Sequence, residues 1–169
     1  MSKTLIVIDC QNDFIDGALG TKEAQAIIPN VKKKIEEYKS RGDRIIFTRD
    51  THNIDYLETK EGKHLPVEHC LYGTYGWEIS KELDTDDTII INKGHFGYCS
   101  WWEWGFKEEI ELVGLCTDIC VVSNALILKA MFSEIEITVD ANCCAGVTPE
   151  SHNAALTTMK MCQINVIGE

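Results

Sequence analysis

The sequence has 169 residues, of which 44% are hydrophobic, and this is enough to bury one core without disulfides. Its formal charge is -11, so we expect neither a nucleic-acid backbone nor an anionic membrane as a partner. The apolar runs are too short to span a bilayer and the N-terminus lacks the apolar stretch of a signal peptide. We therefore expect one cytoplasmic domain over residues 1–169.

The chain contains eight cysteines, but no pair has the C-x-x-C spacing of a zinc ribbon or a thioredoxin-type site. Disulfides are not expected in a reducing compartment. We expect most of these thiols to be small buried hydrophobes, with at most one or two of them reactive.

Six short apolar runs, rich in β-branched residues, alternate with longer segments of helical period. This alternation predicts βαβ units and a parallel sheet that helices cover on both faces. The candidate strands are residues 5–9, 44–48, 88–92, 110–115, 135–139 and 164–167.

Three helices are predicted between these strands. The first has Pro29 in an early turn and ends at Gly42, the second begins at Thr117 as its N-cap, and the third follows Pro149. Residues 50–73 show neither period and form a connection far longer than the usual 2–6 residues. Loops of that length in compact domains are commonly functional.

Polar residues stand at the ends of the predicted strands, where ligands bind in open parallel sheets. Asp9 ends the first strand, Asp50 and His52 follow the second, Lys93 ends the third, and the fourth leads into Cys120. Taken singly, each of these residues fits a turn, a solvated surface or a core position as well as a functional role. Their joint placement at the ends of separate strands favours a functional site.

Cys120 is predicted to lie about one turn inside its helix. We expect the helix dipole and Lys93 to lower its pKa from about 8.5 by about 1.5 units, which favours a nucleophilic thiolate. Asp9 then fits as the group that takes up the thiol proton and delivers it to a leaving amine.

The long loop carries one carboxylate and two imidazoles, from Asp50, His52 and His69. Oxygen and imidazole donors of this kind suit a borderline divalent ion that keeps positions open for water and substrate. A polar surface loop with scattered histidines is the alternative. The further candidate ligands in the loop are Glu58, Glu61 and His64.

Five segments in the expected order make the chain resemble the nicotinamidase/isochorismatase-like cysteine hydrolases over essentially its whole length. The segment around Cys120 is the most specific of them. They are residues 5–14 (LIVIDCQNDF), 48–52 (TRDTH), 65–76 (LPVEHCLYGTYG), 91–96 (INKGHF) and 113–121 (VGLCTDICV).

The resemblance implies a three-layer α/β/α Rossmann-like sandwich with a six-stranded, mainly parallel sheet. It also implies a catalytic triad, a divalent metal ion (zinc, with manganese or iron as alternatives) and no organic cofactor. A non-proline cis peptide is implied between Leu115 and Cys116, which would direct the backbone N–H groups of Cys116 and Cys120 toward an oxyanion. By this resemblance the triad is Asp9, Lys93 and Cys120, and the metal ligands are Asp50, His52 and His69, with Glu61 or Glu58 as a fourth.

The implied reaction is hydrolysis of nicotinamide or a related small carboxamide to an acid and ammonia, through a thioester on Cys120. The substrate is thus a small-molecule amide, and Phe14, Phe96 and Tyr98 are the candidate pocket residues. Ureido or carbamoyl hydrolysis and isochorismatase-type chemistry are alternatives within the fold. A catalytically silent binding protein or thiol redox sensor is an alternative from another class.

Two features depart from the family pattern. Thr51 stands where many nicotinamidases carry a tryptophan, so an aromatic wall of the pocket is in question. The segment after Lys93 is rich in tryptophan, with Trp101, Trp102 and Trp104. This cluster fits a packing or oligomer surface and a substitute pocket wall equally well, and we expect a homo-oligomer.

Overall fold

The computed structural model describes residues 2–169. Its strands form one sheet in which every adjacent pair is parallel, in the order β3-β2-β1-β4-β5-β6. The strands are β1 (Lys3–Ile8), β2 (Arg44–Asp50), β3 (Ile89–Lys93), β4 (Glu109–Leu115), β5 (Ile137–Ala145) and β6 (Asn165–Ile167). All six predicted runs thus correspond to strands, with ends that differ by at most six residues.

Five α-helices join the strands, and a π-helical turn, Thr117–Val121, runs directly into the fourth. No helix among residues 2–169 combines the length and the apolar composition that crossing a bilayer requires. The helices are α1 (Asn12–Ile15), α2 (Lys22–Arg41), α3 (Lys60–His64), α4 (Val122–Met131) and α5 (Pro149–Met161).

The sheet is covered on both faces, as its unbroken apolar strands predicted. On one face Leu5 and Val7 pack in a cluster with the buried side of α2. On the other face Ile6 and Ile8 pack with α4 and α5. Successive β1 residues therefore enter opposite cores, because side chains alternate along a strand. The predicted three-layer α/β/α fold is confirmed.

The predicted start of the first long helix is wrong. The helix begins at Lys22, where the Thr21 side chain accepts a hydrogen bond from the backbone N–H of Ala24 at 3.0 Å. Pro29 therefore lies in the helix interior, where it lacks the N–H that would bond one turn back. Burial of the apolar side chains on both sides of Pro29 offsets that loss. The predicted stop is observed, with Gly42 in the left-handed conformation at φ 71°.

Strand β5 continues six residues beyond the predicted end at Val139. The apolar run stops there because the next residue is Asp140, but this carboxylate is buried and paired with Lys34 of α2 at 2.8 Å. The ion pair with the helix layer thus stabilises a charged residue inside the strand. The apolar pattern of the sequence does not reveal this pairing.

Candidate active site

The strand order brings the predicted polar residues together at one edge of the sheet. Asp50 and Lys93 are partners in the β2–β3 register, and Asp9 follows β1, the next strand over. On the other side of β1, strand β4 leads into the turn that carries Cys120. Four adjacent strands therefore deliver their polar ends to one place, as the carboxyl edge of a parallel sheet does.

Lys93 lies at the centre of what we call the Lys93 cluster, formed by Asp9, Lys93, Cys120 and Asp50. Its Nζ is 2.6 Å from Oδ2 of Asp9, 3.7 Å from Oδ1 of Asp50 and 3.6 Å from Sγ of Cys120. All four side chains are buried. A carboxylate, an ammonium group and a thiol thus meet away from bulk water.

Asp9 is held by Thr48, a fully buried β2 residue that sequence reasoning missed. The Thr48 hydroxyl donates to Oδ1 of Asp9 at 2.6 Å and accepts from the Asp9 backbone N–H at 3.2 Å. Asp9 itself has φ 46°, which is uncommon for a residue other than glycine. A backbone strained in this way persists only where its surroundings fix it, as at functional sites.

Burial and neighbouring charges oppose each other in setting the pKa values of the Lys93 cluster. Burial raises the pKa of Asp9 even though Lys93 opposes the shift. Burial alone would lower the pKa of Lys93, but the charges around it outweigh this and leave its pKa raised. Burial and Asp9 hold the pKa of the Cys120 thiol well above its usual value despite Lys93. The expectation that this pKa is lowered is therefore wrong, since desolvation and Asp9 outweigh Lys93.

The nucleophile turn begins with the expected cis peptide bond between Leu115 and Cys116. Cys116, not Thr117, is the N-cap residue, and the turn that follows is π-helical. The predicted capping role of Thr117 is wrong because its buried hydroxyl is engaged elsewhere. Its Oγ1 lies 2.7 Å from Nδ1 of His152, which ties the turn to α5.

Asn124, one turn beyond the nucleophile, links several parts of the site. Its Nδ2 donates to the carbonyl of Cys120 at 2.8 Å and to that of Phe96 at 3.1 Å. Its Oδ1 accepts from the backbone of Tyr98 and from the indole of Trp101, both at 2.9 Å. A fully buried amide with all these bonds fixes the nucleophile relative to the segment after Lys93. No sequence signal in a helix interior indicates such a role.

Four side chains of the long loop and the end of β2 converge beside Lys93, in what we call the Asp50 cluster: Asp50, His52, Glu61 and His69. One ligand atom from each lies within 4.8 Å of all the others. Oδ2 of Asp50 is 3.0 Å from Nε2 of His52 and 3.7 Å from Nε2 of His69. Of the two candidates for a fourth ligand, Glu61 belongs to the cluster, whereas Glu58 lies exposed in the preceding turn and is not part of it.

The chemistry of the Asp50 cluster fits a divalent metal ion. Oδ1 of Asp50 is buried and has no hydrogen-bond partner among residues 2–169. His69 uses Nδ1 on the carbonyl of Val67 at 2.8 Å, which leaves Nε2 facing the cluster. The imidazoles and Lys93 hold the pKa of Asp50 below its usual value although burial opposes the shift. An ionised carboxylate and two imidazole nitrogens are donors that borderline metals prefer.

Tyr56 frames the Asp50 cluster and was not predicted. Its ring is fully buried and lies 4.7 Å from the ring of His52 and 5.0 Å from that of His69, between centroids. Its hydroxyl donates to the carbonyl of Leu65 at 2.9 Å. The aperiodic loop thus contains its own packed centre, which holds the two imidazoles in place.

A cavity of about 250 Å³ opens onto both clusters. Phe14 and Phe96 line it, as predicted, but Tyr98 lies outside and packs edge-on against Trp101 with ring centroids 4.9 Å apart. The walls are mostly apolar. The lining residues are Phe14, Leu19, Thr21, Asp50, Glu61, Leu65, His69, Phe96, Cys116, Ile119, Cys120 and Val147.

The tryptophan-rich segment packs beside the site without lining the cavity. Trp101 is fully buried, and Trp104 stacks on Phe106 at 6.1 Å between centroids, whereas Trp102 is 65% exposed. Within one chain, the pocket-wall interpretation of this cluster is therefore wrong. Thr51, at the departure from the family pattern, accepts a hydrogen bond from the indole of Trp77 at 2.9 Å.

The sequence model of the isochorismatase domain matches residues 3–168, so this chain belongs to the isochorismatase family. The family resemblance inferred from the motifs is thereby confirmed. A curated relative, the nicotinamidase of Schizosaccharomyces pombe, is 26% identical over 98% of this chain and 92% of its own length.

Solved structures agree with this assignment. The pyrazinamidase of Pyrococcus horikoshii in complex with zinc superposes with a TM-score of 0.86, is 28% identical, and is matched over 100% of both chains. The pyrazinamidase/nicotinamidase of Streptococcus mutans has a TM-score of 0.83 and 29% identity over 98% of this chain and 100% of its own.

Proposed function

We propose that this protein is a cysteine-dependent amidohydrolase of the nicotinamidase type, which converts nicotinamide or a related small carboxamide into the acid and ammonia. The observation that carries the proposal is the meeting of Asp9, Lys93 and Cys120 beside a largely apolar cavity, which Cys120 lines. The nicotinamidase and pyrazinamidase names of the relatives support the same C–N bond hydrolysis.

In the resting site the Cys120 thiol keeps its proton, because burial holds its pKa well above the usual value. Proton transfer to Asp9 therefore accompanies attack rather than preceding it. The sulfur bonds to the carboxamide carbon while Asp9 takes the thiol proton, and Lys93 stabilises the charges on both groups. The backbone N–H groups of Cys116 and Cys120 would stabilise the oxyanion.

The tetrahedral adduct collapses when Asp9 gives its proton to the departing nitrogen, which leaves as ammonia and yields a thioester on Cys120. A water molecule then enters, Asp9 takes one of its protons, and the oxygen attacks the thioester carbon. Collapse releases the acid, and the proton on Asp9 returns to the sulfur. The sum is one amide and one water converted into one acid and one ammonia.

Asp50, His52, Glu61 and His69 would hold a divalent ion, for which we propose zinc, with manganese or iron as alternatives. When bound, the ion supplies a Lewis acid that fixes a ring nitrogen of the substrate. The chain's own walls, chiefly Phe14 and Phe96, hold an aromatic ring between this cluster and the thiol.

The test is ammonia release by the full-length protein on a panel containing nicotinamide, benzamide, an aliphatic amide, an N-carbamoyl compound and a ureido compound. Comparison of nicotinamide with benzamide isolates the contribution of the ring nitrogen to the rate, because benzamide lacks it. We expect nicotinamide to be hydrolysed fastest and C120A to lose roughly 10⁴-fold in kcat/KM. The matched control is C143A, since Cys143 is 3% exposed and Cys120 is 4% exposed.

Equal activity of C120A and the unmodified protein would remove the thiol from the mechanism. Preference for the carbamoyl or ureido compound would move the substrate to another branch of the family. Absence of ammonia from every compound would favour the binding or redox-sensing alternative.

A further inference from the structure

The turn that follows Asp9 makes unusual contacts with the backbone around the Asp50 cluster. Gln11 is fully buried, and its side-chain amide bonds both backbone groups of Asp50. Its Oε1 accepts from the Asp50 N–H at 2.7 Å, and its Nε2 donates to the Asp50 carbonyl at 2.8 Å. The same Nε2 donates to the carbonyl of Trp77 at 2.8 Å. The Gln11 side chain thus fixes the backbone of Asp50, and with it the direction in which the Asp50 carboxylate projects.

Asp13, two residues further on, holds the other side of the cluster through Cys70. Its Oδ2 accepts from the Cys70 backbone N–H at 2.8 Å. Cys70 has φ 48°, a conformation that a residue other than glycine keeps only when its neighbours enforce it. The Cys70 carbonyl accepts from the backbone N–H of His52 at 3.0 Å, and Cys70 directly follows His69. Asp13 therefore acts on the segments that carry both imidazoles.

We propose that Gln11 and Asp13 are positioning residues that set the Asp50 cluster at a fixed place relative to Asp9. Both belong to the turn that begins two residues after Asp9. This one turn therefore fixes three of the four proposed ligands, Asp50, His52 and His69, relative to the catalytic carboxylate. Neither side chain belongs to the proposed ligand set. The inference rests on the metal site of the proposed function.

Asn12 lies between the two and provides a matched control. It is also a buried amide, and its Nδ2 donates to the carbonyl of Tyr75 at 2.8 Å. It tethers the same long connection to the same turn, but its side chain bonds neither a proposed ligand residue nor a residue next to one. A purely structural role of the turn predicts similar losses on replacing any of the three residues.

The experiment measures the dissociation constant of zinc for the metal-stripped full-length protein, in competition with a chromophoric chelator. We expect Q11M and D13A each to raise the constant by about tenfold or more, as loss of a supporting residue around a metal site commonly does. N12L should change it by less than about threefold. D13N keeps an oxygen that accepts from Cys70 and should restore most of the affinity that D13A loses.

Thermal unfolding of the metal-free variants shows whether each one folds, and if Q11M does not, the pair D13A and D13N decides. Unchanged zinc affinity in the folded variants, or an equal loss in N12L, overturns the inference. An unmodified protein that releases ammonia but binds no zinc overturns the inference while the amidase function stands. Zinc binding with the expected pattern, without hydrolysis of any amide, upholds the inference and overturns the function.

Discussion

Two lysines of this protein, Lys93 at the carboxyl edge of the sheet and Lys34 on α2, each lie between two carboxylates and next to a cysteine. Lys93 contacts Asp9 at 2.6 Å and Asp50 at 3.7 Å, and its Nζ lies 3.6 Å from the sulfur of Cys120. The side chains of Lys93, Asp9, Asp50 and Cys120 are all buried, at or just after the carboxyl ends of strands. The side chains around Lys93 and Lys34 are similar in kind but differ in their surroundings.

Lys34 contacts Glu111 of β4 at 2.7 Å and Asp140 of β5 at 2.8 Å. The Tyr38 hydroxyl donates to Glu111 at 2.6 Å, and the sulfur of Cys143 lies 3.7 Å from Asp140. We call these five residues the Lys34 cluster. It pins α2 onto the sheet, and none of its members lines the cavity that Cys120 lines.

The comparison shows that charge composition alone does not make a site. The Lys34 cluster shares its charges among protein groups, and its lysine keeps 16% of its side chain exposed. Among residues 2–169, each cluster contains a buried carboxylate oxygen without a hydrogen-bond partner, Oε1 of Glu111 in one and Oδ1 of Asp50 in the other. Oε1 of Glu111 lies 2.7 Å from Nζ of Lys34, whereas Oδ1 of Asp50 lies 3.7 Å from Nζ of Lys93 and, like the thiol, belongs to a residue that lines a cavity. Looser pairing beside an open space is what allows chemistry, whereas close ion pairing away from the cavity holds the helix on the sheet.

Replacing each lysine with methionine should give the largest difference in activity between the two clusters. K93M removes the ammonium that stabilises Asp9 and the attacking sulfur, so kcat/KM for nicotinamide should fall roughly 10³-fold. K34M should change it by less than about threefold, because the Lys34 cluster contacts neither cavity nor nucleophile. Steady-state ammonia release measures both, and similar losses in the two variants would erase the functional distinction.

Metal removal should act on the cavity beside Lys93 and leave the Lys34 cluster untouched. Dialysis against a chelator should lower kcat/KM for nicotinamide about 100-fold, because the ring loses its fixed orientation, and added zinc should restore it. Benzamide lacks the ring nitrogen, so its slower hydrolysis should change less. An equal loss for both amides would show that the ion supports the fold of the loop rather than the substrate.

Much of the Lys93 cluster was predictable because parallel strands place their carboxyl ends together. Asp9, Asp50 and Lys93 each stand at the end of an apolar run, so the sequence itself marks their position. The metal loop was predictable as a long aperiodic connection with histidines. Which of Glu58 and Glu61 joins the cluster was not, because it depends on where α3 begins.

The supporting residues could not be predicted, since they act through contacts between distant segments. Thr48 lies inside an apolar strand and Asn124 inside a helix, and neither position differs from a core position in sequence. The raised pKa of Cys120 depends on the depth of its burial, which spacing does not reveal. Asp140 looked like the end of a strand because its partner Lys34 lies more than 100 positions away.

The stability of the Lys34 cluster provides the next test. K34M leaves Glu111 and Asp140 without their cation, and because Lys34 is partly exposed we expect a loss of about 2 kcal/mol in the free energy of unfolding, below the range for fully buried pairs. K39M is the control on the same helix, since Lys39 pairs with the exposed Asp84, and it should cost less than K34M because solvent screens this pair. Urea titration measures both, and equal costs would mean that the Lys34 cluster is no more than a surface pair.

The last prediction concerns the raised pKa that Cys120 and Cys143 share. Burial raises the pKa of Cys143 to about 12, with Asp140 adding to the shift, and burial also holds the pKa of Cys120 far above its usual value. A pKa raised on folding gives stability that is complete below the unfolded value of about 8.5 and is lost as pH rises toward the folded value. Between pH 9 and 11 the Cys143 thiol should therefore make the free energy of unfolding fall by about 1.4 kcal/mol per pH unit, and the Cys120 thiol should act in the same direction. C143A should flatten the slope by one proton and C120A should flatten it as well, although only C120A abolishes activity. An unchanged slope in C143A would show that this thiol ionises as easily folded as unfolded.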